Sequence, residues 1–194
     1  MRALTVFALA LVFCAFAVQD ATAESNMGLQ ALGVNAGLVS PEDIEETIGV
    51  GVFADWGTLS PQWALGSNLD YWSKSEEFGD FFGTTEVSIR DISFTTRAKY
   101  LFAVSSPKFQ PYVGGGLGLH FIRAEVSIPD QDLGGGFFIP GMTVSDTQTE
   151  LGLDIGGGFR TPIGASTELA GDLWYGMVED FSQLSLKIGV AFKM

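Results

Sequence analysis

The fold is decided by the stretch Leu184-Ser185-Leu186-Lys187-Ile188-Gly189-Val190-Ala191-Phe192-Lys193-Met194, in which apolar side chains alternate with small or polar ones. A period of two residues puts the apolar side chains on one face of a β-strand and the others on the opposite face. A helix would need a period near 3.6 residues. The stretch therefore predicts a strand with one apolar face.

Seven earlier runs repeat this alternation at a spacing of about 21 residues for a strand and its connection. They cover residues 31–38, 48–56, 63–71, 92–102, 113–121, 150–160 and 168–175. Eight such runs predict an all-β protein, and their even spacing favours an eight-stranded antiparallel up-and-down β-barrel.

The connections between these runs fall into two groups. Residues 57–62, 103–108 and 161–165 form short turns, each with a proline, whereas 73–86 and 127–145 are long. Because the strands alternate in direction, all short turns lie at one end of the barrel and the long connections at the other. That asymmetry is typical of a transmembrane β-barrel.

The polar faces of the runs carry glycines and charges, while bulky aromatic side chains collect near both ends of the apolar faces. We expect the apolar faces to contact lipid and the polar faces to fill the lumen, because eight strands leave only enough room for side chains. The predicted lumen network consists of six acids and four bases, namely Asp55, Asp70, Arg97, Lys99, Glu150, Asp154, Arg160, Glu168, Asp172 and Lys187.

The composition excludes two classes of protein. The 194 residues carry a formal net charge of -13 and no Lys/Arg run, so the chain would repel nucleic-acid phosphates. Hydrophobic residues make up 46% of the chain, which is too many for intrinsic disorder. The 25 glycines exceed the usual share of ~7% and suit a crowded, curved interior.

The first 23 residues predict a secretory signal peptide, leaving residues 24–194 as the barrel domain. Arg2 precedes an apolar stretch from Ala3 to Val18, and Ala21-Thr22-Ala23 offers a cleavage site. The alternative, an uncleaved membrane anchor, is disfavoured because 16 apolar residues are short for a membrane helix. Since Cys14 lies in this leader, the exported chain is expected to have no thiol.

Two segments resemble the outer-membrane β-barrel protein family, the small OmpA/OmpX-like barrels of Gram-negative bacteria. Residues 111–118, Pro-Tyr-Val-Gly-Gly-Gly-Leu-Gly, resemble a strand common in that family, and residues 184–194 resemble the terminal-strand signal read by the barrel-assembly machinery. Met194 departs from the aromatic residue usual at that position. The resemblance implies a monomer in the outer membrane, with lipid and the assembly machinery as partners.

Catalysis and metal binding find little support in the sequence. His120 is the only histidine, and Ser127 and Asp130 are its candidate partners only because they lie on the same side of the barrel. We expect His120 to form hydrogen bonds at the rim or in a loop. With one histidine and no mature cysteine, the sequence predicts no metal site and no cofactor.

The long connections combine carboxylates with aromatic side chains, a composition that indicates contact with a partner. The candidate interaction residues are Phe78, Phe81, Phe82, Phe137 and Phe138. An alternative is that the strands on either side of 127–145 continue as a hairpin turning at Gly134-Gly135-Gly136, with these residues packing on neighbouring loops.

Three functions stay open at this point. The first is a non-enzymatic outer-membrane barrel with a structural or surface-interaction role and an acidic outer surface. The second is narrow porin-like passage or binding of small apolar molecules. The third is a soluble periplasmic lipocalin-like binder, in which the apolar faces would line a shared interior.

Overall fold

A computed structural model of the chain describes residues 25–80, 83–105, 108–132, 138–179 and 181–194. The predicted signal peptide and Cys14 lie outside these residues. The strands are β1 (Asn26–Pro41), β2 (Thr47–Ser60), β3 (Trp63–Asp80), β4 (Gly83–Leu101), β5 (Gln110–Ile128), β6 (Gln131–Asp132), β7 (Phe138–Ile139), β8 (Met142–Pro162), β9 (Thr167–Val178) and β10 (Ser182–Lys193). No helix in this described part is long and apolar enough to cross a membrane.

Eight of these strands close into a barrel in the order β1-β10-β9-β8-β5-β4-β3-β2, with every neighbouring pair antiparallel. The first and last strands complete the ring, with Leu38 opposite Leu186. Among the described residues, the two-residue strands β6 and β7 pair with each other, in the connection between β5 and β8. The predicted all-β, eight-stranded antiparallel up-and-down barrel is confirmed.

The barrel is inverted relative to a soluble protein, because its apolar side chains face outward. Ile188 and Leu151 are 64% and 72% exposed, whereas Asn35, Asp70 and Lys187 are buried in the lumen. Such an apolar outer surface is stable only in lipid. The soluble lipocalin-like alternative is therefore wrong, since its interior would have to be the apolar one.

Aromatic side chains ring the short-turn end of this outer surface. Trp63 and Tyr100 meet edge to face at 5.4 Å between ring centroids, and Tyr100 meets Phe102 at 5.5 Å. Phe109 stacks on Phe159 at 5.3 Å. Aromatic girdles of this kind lie at the membrane–water interface, which accommodates both the apolar body and the polar edge of an aromatic side chain.

The prediction of a long loop over 73–86 is wrong. Strand β3 runs on to Asp80 and β4 begins at Gly83, with unbroken pairing from Ser73 opposite Arg90 to Asp80 opposite Gly83. Likewise β5 reaches Ile128 and β8 begins at Met142, which agrees with the hairpin alternative for 127–145. Its predicted glycine turn lies outside the described residues. Above the membrane both faces of a strand contact water, so the apolar alternation disappears although the pairing continues.

The predicted turn over 57–62 is also shorter in the structure, because β2 continues to Ser60. Gly57 has φ of +87° and lies in a register shift between β2 and β3. A Cβ atom at this position would overlap the carbonyl oxygen of Asn26. Gly57 therefore permits a β-bulge at this register shift. Any other residue would be strained in this backbone conformation.

Candidate functional site

The candidate site is the interior of the barrel together with the strand ends above it. All ten charged residues predicted for the lumen occupy inward-facing positions of the ladder. In the described part of the chain, buried polar side chains include Asn35, Asp70, Asp91, Ser93, Thr95, Arg97, Lys99, His120, Asp154, Asp172 and Lys187.

The centre of the lumen holds an ion pair between Arg97 of β4 and Asp154 of β8. Nη2 and Nε of Arg97 donate to Oδ2 of Asp154 at 2.7 and 2.9 Å. The pair crosses β5 at Gly116, which lies opposite both residues. The Arg97 guanidinium also lies 4.3 Å from the centroid of the Trp174 ring. Because both charges are buried, each depends on the other for compensation.

Lys99 reaches Asp55 in the same way, across a strand whose residue at the crossing is glycine. Nζ of Lys99 lies 2.9 Å from Oδ1 of Asp55. A Cβ atom at Gly66, on the intervening strand β3, would lie 2.9 Å from that Nζ atom. The glycine therefore leaves the space that the lysine side chain occupies.

A third pair joins Lys187 of β10 to Asp70 of β3 across both β1 and β2. Nζ of Lys187 lies 2.7 Å from Oδ1 of Asp70. A Cβ atom at Gly51 would overlap that carboxylate oxygen, and one at Gly49 would lie 3.6 Å from Cε of Lys187. Long cations and glycines on neighbouring strands are thus complementary in shape.

The short-turn end of the lumen is organised around Arg160. Its Nη1 lies 3.4 Å from Asp172 and its Nη2 lies 3.7 Å from Asp55. The guanidinium stacks over Phe53 at 4.6 Å. The Tyr112 hydroxyl donates to Asp172. Charge-assisted and cation–π contacts thus hold this cluster together inside the short-turn end of the lumen.

The structure does not bring two of the predicted lumen residues into this network. Glu168 forms an ion pair with Lys193 at 2.7 Å, at the short-turn rim. Glu150 lies opposite His120 near the other end, and its buried Oε2 has no hydrogen-bond partner among the described residues. The other eight predicted residues form the ion pairs described above.

His120 forms a hydrogen bond, as expected, but inside the lumen and not at the rim or in a loop. The side chain is buried inside the lumen at 1% exposure, and its Nδ1 lies 2.8 Å from Oδ2 of Asp91, which is 0% exposed. Ser127 instead contacts Thr143 at 3.1 Å, and Asp130 accepts a hydrogen bond from the Gly141 amide. Neither proposed partner therefore reaches the histidine.

In the part of the chain that the structure describes, the Asp91–His120 pair has no hydroxyl as a hydrogen-bond partner. Nε2 of His120 has no hydrogen-bond partner among the described residues, so no hydroxyl is positioned for activation. Within the same part of the chain, no group of three His, Cys, Asp or Glu residues could hold a metal ion. The pair acts as a buried hydrogen-bonded element of the lumen.

A cavity of about 20 Å³ remains beside this pair, which is room for roughly one water molecule. Its lining includes Trp72, Thr95, His120, Trp174 and Gln183. Trp72, Thr95 and His120 each have a buried polar atom that forms no hydrogen bond with the described residues. The cavity is lined mainly by polar side chains.

One of the five predicted interaction residues has a described side chain. Phe78, on the β3–β4 hairpin, is 57% exposed. Phe81, Phe82 and Phe137 lie outside the described residues, as does the side chain of Phe138, whose backbone begins β7.

Short contacts tie the β1–β2 loop to its neighbours at this end. Lys74 donates to Glu45 at 2.8 Å, and this hydrogen bond holds the pKa of the exposed Glu45 carboxyl below its usual range. The Ser182 hydroxyl donates to Glu42, and the Glu42 amide donates to the Ser182 carbonyl at 2.7 Å. The loop is thereby fixed against β3 and β10.

Sequence reasoning missed three residues that shape the interior. Asp91 lies two positions before Ser93 and in phase with Arg97 and Lys99, so extending the run by one repeat would have found it. Tyr112 and Trp72 also occupy inward positions and are 3% exposed. Tyr112 precedes the run 113–121 and Trp72 follows the run 63–71, so both lie one position outside the runs that predict the lumen faces.

Comparison with known families gives one match across nearly the whole chain. The outer membrane protein beta-barrel domain matches residues 6–193. No curated protein matches the sequence.

Solved structures with the same fold include outer-membrane proteins from different bacteria. Neisserial surface protein A is 20% identical, with 84% of this chain and 96% of that one covered at a TM-score of 0.56. Ail, the attachment invasion locus protein of Yersinia pestis, is 10% identical. The match covers 87% of this chain and 100% of that one at a TM-score of 0.55. A major outer membrane protein from Thermus thermophilus is 15% identical. The match covers 84% of this chain and 99% of that one at a TM-score of 0.58.

Proposed function

Because this chain belongs to the outer membrane protein beta-barrel family, we propose that it serves the cell envelope without catalysing a reaction, as a closed barrel that presents extended strands to partners at the cell surface. The lumen is occupied by ion pairs rather than by a passage. The functional surface is then the part of the barrel that rises above the membrane.

Strand length is the observation that carries this proposal. Strands β3, β4, β5 and β8 have 18, 19, 19 and 21 residues, whereas β9 and β10 have 12 each. At about 3.3 Å per residue, the difference corresponds to roughly 20–30 Å of additional strand. One side of the barrel therefore stands well above the other.

Among the described residues, the extended sheet has an unpaired edge along each side. Strand β3 pairs with β2 only up to Trp72, and β8 pairs with β9 only from Gly152 onward. The Ser73 carbonyl accepts a hydrogen bond from the Thr47 hydroxyl, but residues 74–80 and 142–151 present backbone donors and acceptors that no described barrel strand uses. An edge of this kind can pair with an extended segment of a partner.

Charge restricts which partners fit this surface. The described loop-side carboxylates are Glu42, Asp43, Glu45, Glu46, Glu76, Glu77, Glu86, Glu125, Asp130, Asp146 and Glu179, against the bases Lys74, Arg90 and Arg123. Ail was solved in complex with the heparin analogue sucrose octasulfate. A polyanion of that kind is repelled by the acidic strand ends of this chain, which favour a cationic partner.

The proposal is tested with a synthetic peptide of alternating lysine and leucine, which can pair as a strand and carries positive charge. The triple variant Glu76→Gln/Glu77→Gln/Glu86→Gln is expected to lower the affinity of the folded barrel for this peptide about tenfold, because it removes the charges of one hairpin. Deleting residues 134–142 removes the candidate aromatic residues Phe137 and Phe138 and is expected to weaken binding further. Affinity is measured with the barrel in lipid nanodiscs.

The matched control is Glu168→Gln, which removes a carboxylate at the opposite end of the barrel and should leave the affinity unchanged. Heat-modifiable gel mobility reports folding for every variant. Equal binding by all variants, or stronger binding of sucrose octasulfate than of the peptide, would contradict the proposal. Loss of folding on deletion of 134–142 would instead assign that segment a packing role.

A further inference from the structure

One row of outward side chains lies directly beyond the apolar belt at the loop end. The belt ends with Tyr71, Ile92 and Phe121, which face one another on β3, β4 and β5 and are 41–44% exposed. The next outward positions on β3, β4, β5 and β8 are Ser73, Arg90, Arg123 and Thr147. This row therefore sits at the height where lipid acyl chains give way to headgroups.

Two arginines of this row face each other across neighbouring strands. Arg90 and Arg123 are direct partners in the β4–β5 ladder, where opposing Cβ atoms lie about 4.5–5.5 Å apart and like charges repel. No carboxylate of the described residues lies within 4 Å of Arg90. Nη2 of Arg123 donates to Glu125 at 2.9 Å, and its buried Nε has no acceptor among the described residues. Glu125 thus compensates one of the two guanidinium charges, and Arg90 leaves the pair with one net positive charge.

The surroundings of the pair limit what can neutralise it. The outward neighbours in the same row, Ser73 and Thr147, have hydroxyls and no charge. The outward neighbours one row below, Ile92 and Phe121, are apolar. A fitting ligand therefore combines an anionic group with a hydrocarbon portion that extends down the barrel wall.

We propose that Arg90 and Arg123 bind the phosphate group of an outer-leaflet lipid. Arg90 can direct a pair of parallel N–H donors at phosphate oxygens, and Arg123, whose Nη2 is shared with Glu125, can add a further donor, so that the phosphate reduces the repulsion between the two guanidinium groups. The acyl chains of the same lipid pack on the belt formed by Ile92, Phe94, Leu119 and Phe121. A soluble polyanion lacks these apolar contacts and meets the acidic strand ends first.

The test compares lipid A, which carries phosphate groups, with a dephosphorylated analogue bearing the same acyl chains. The full-length barrel is reconstituted in nanodiscs of phosphatidylcholine containing a small fraction of either lipid, and the lipid that stays with the protein is counted by native mass spectrometry. Arg90→Gln/Arg123→Gln is expected to lower lipid A retention at least about tenfold, equivalent to one lost charge-assisted hydrogen bond. Arg90→Lys/Arg123→Lys should retain an intermediate amount of lipid A, because the positive charge remains but the parallel N–H donors of the guanidinium are lost.

The matched control is Lys74→Gln, which removes a positive charge at the same end of the barrel but on the inward face, where Lys74 pairs with Glu45. Its lipid A retention should equal that of the wild type. Equal retention of the phosphorylated and dephosphorylated lipids, or unchanged retention in the glutamine variant, would overturn the proposal. Displacement of lipid A by an equal concentration of inorganic pyrophosphate would identify a site for soluble anions instead.

Discussion

Replacing Arg97 by methionine is expected to lower the free energy of unfolding of the barrel by about 3–5 kcal/mol. The substitution leaves the Asp154 carboxylate buried at 4% exposure without the guanidinium that donates two hydrogen bonds to it. A buried charge without a partner is costly, whereas methionine keeps much of the contact with Trp174. The change is measured by urea titration in lipid vesicles, followed by tryptophan fluorescence.

The double variant Arg97→Met/Asp154→Leu separates charge from packing. Because it removes both charges, it should recover most of the stability that the single variant loses. Lys74→Met breaks the exposed pair with Glu45 and should leave the urea midpoint unchanged. Equal instability of the single and double variants would show that lost packing, rather than an unpaired carboxylate, destabilises the barrel.

Replacing Gly116 by valine is expected to leave most of the chain unable to reach the folded, heat-modifiable form. A Cβ atom at this position would lie 2.5 Å from the Thr96 carbonyl oxygen and 2.7 Å from Cγ of Arg97. Barrel closure fixes both strands, so neither can withdraw from the added side chain. The displaced Arg97 would also lose Asp154. Gel mobility with and without heating measures the folded fraction.

Gly79→Val provides the matched control, because no described heavy atom beyond its chain neighbours lies within 4 Å of a Cβ built there. It places the same substitution in β3, near the tip of the β3–β4 hairpin, and should fold as the wild type does. If both variants fold equally well, the inward glycines are not needed as space for the ion pairs. Failure of both would point to a general intolerance of valine in these strands.

Much of the fold could be predicted because a lipid-facing strand obeys a strict rule. Every second side chain from Leu184 to Phe192 must be apolar, and the same period in the other runs fixes which residues face the lumen. The lumen positions of Arg97, Asp154 and Lys187 follow from this parity alone. Parity does not predict which of these residues pair with each other. A long side chain can reach a partner one, two or three strands away, depending on which intervening strands have a glycine that leaves space for it.

Two parts of the structure could not be predicted for definite physical reasons. The extension of β3 and β4 to Asp80 and Gly83 leaves no alternation, since water on both faces imposes no period. The Asp91–His120 pair depends on the diagonal contact between neighbouring strands, which requires the register that only the closed barrel supplies. A lone histidine in a glycine-rich run gives no sign of a partner 29 positions away.

The claim that the lumen is closed is tested most directly by single-channel recording of the full-length barrel in a planar lipid bilayer. The account predicts no stable conductance steps, because Arg97, Lys99, Arg160 and Lys187 span the lumen in ion pairs and the cavity beside His120 measures about 20 Å³. Large, regular and long-lived open steps from the folded wild-type protein would contradict it. They would show that the charges line a passage instead of filling the interior.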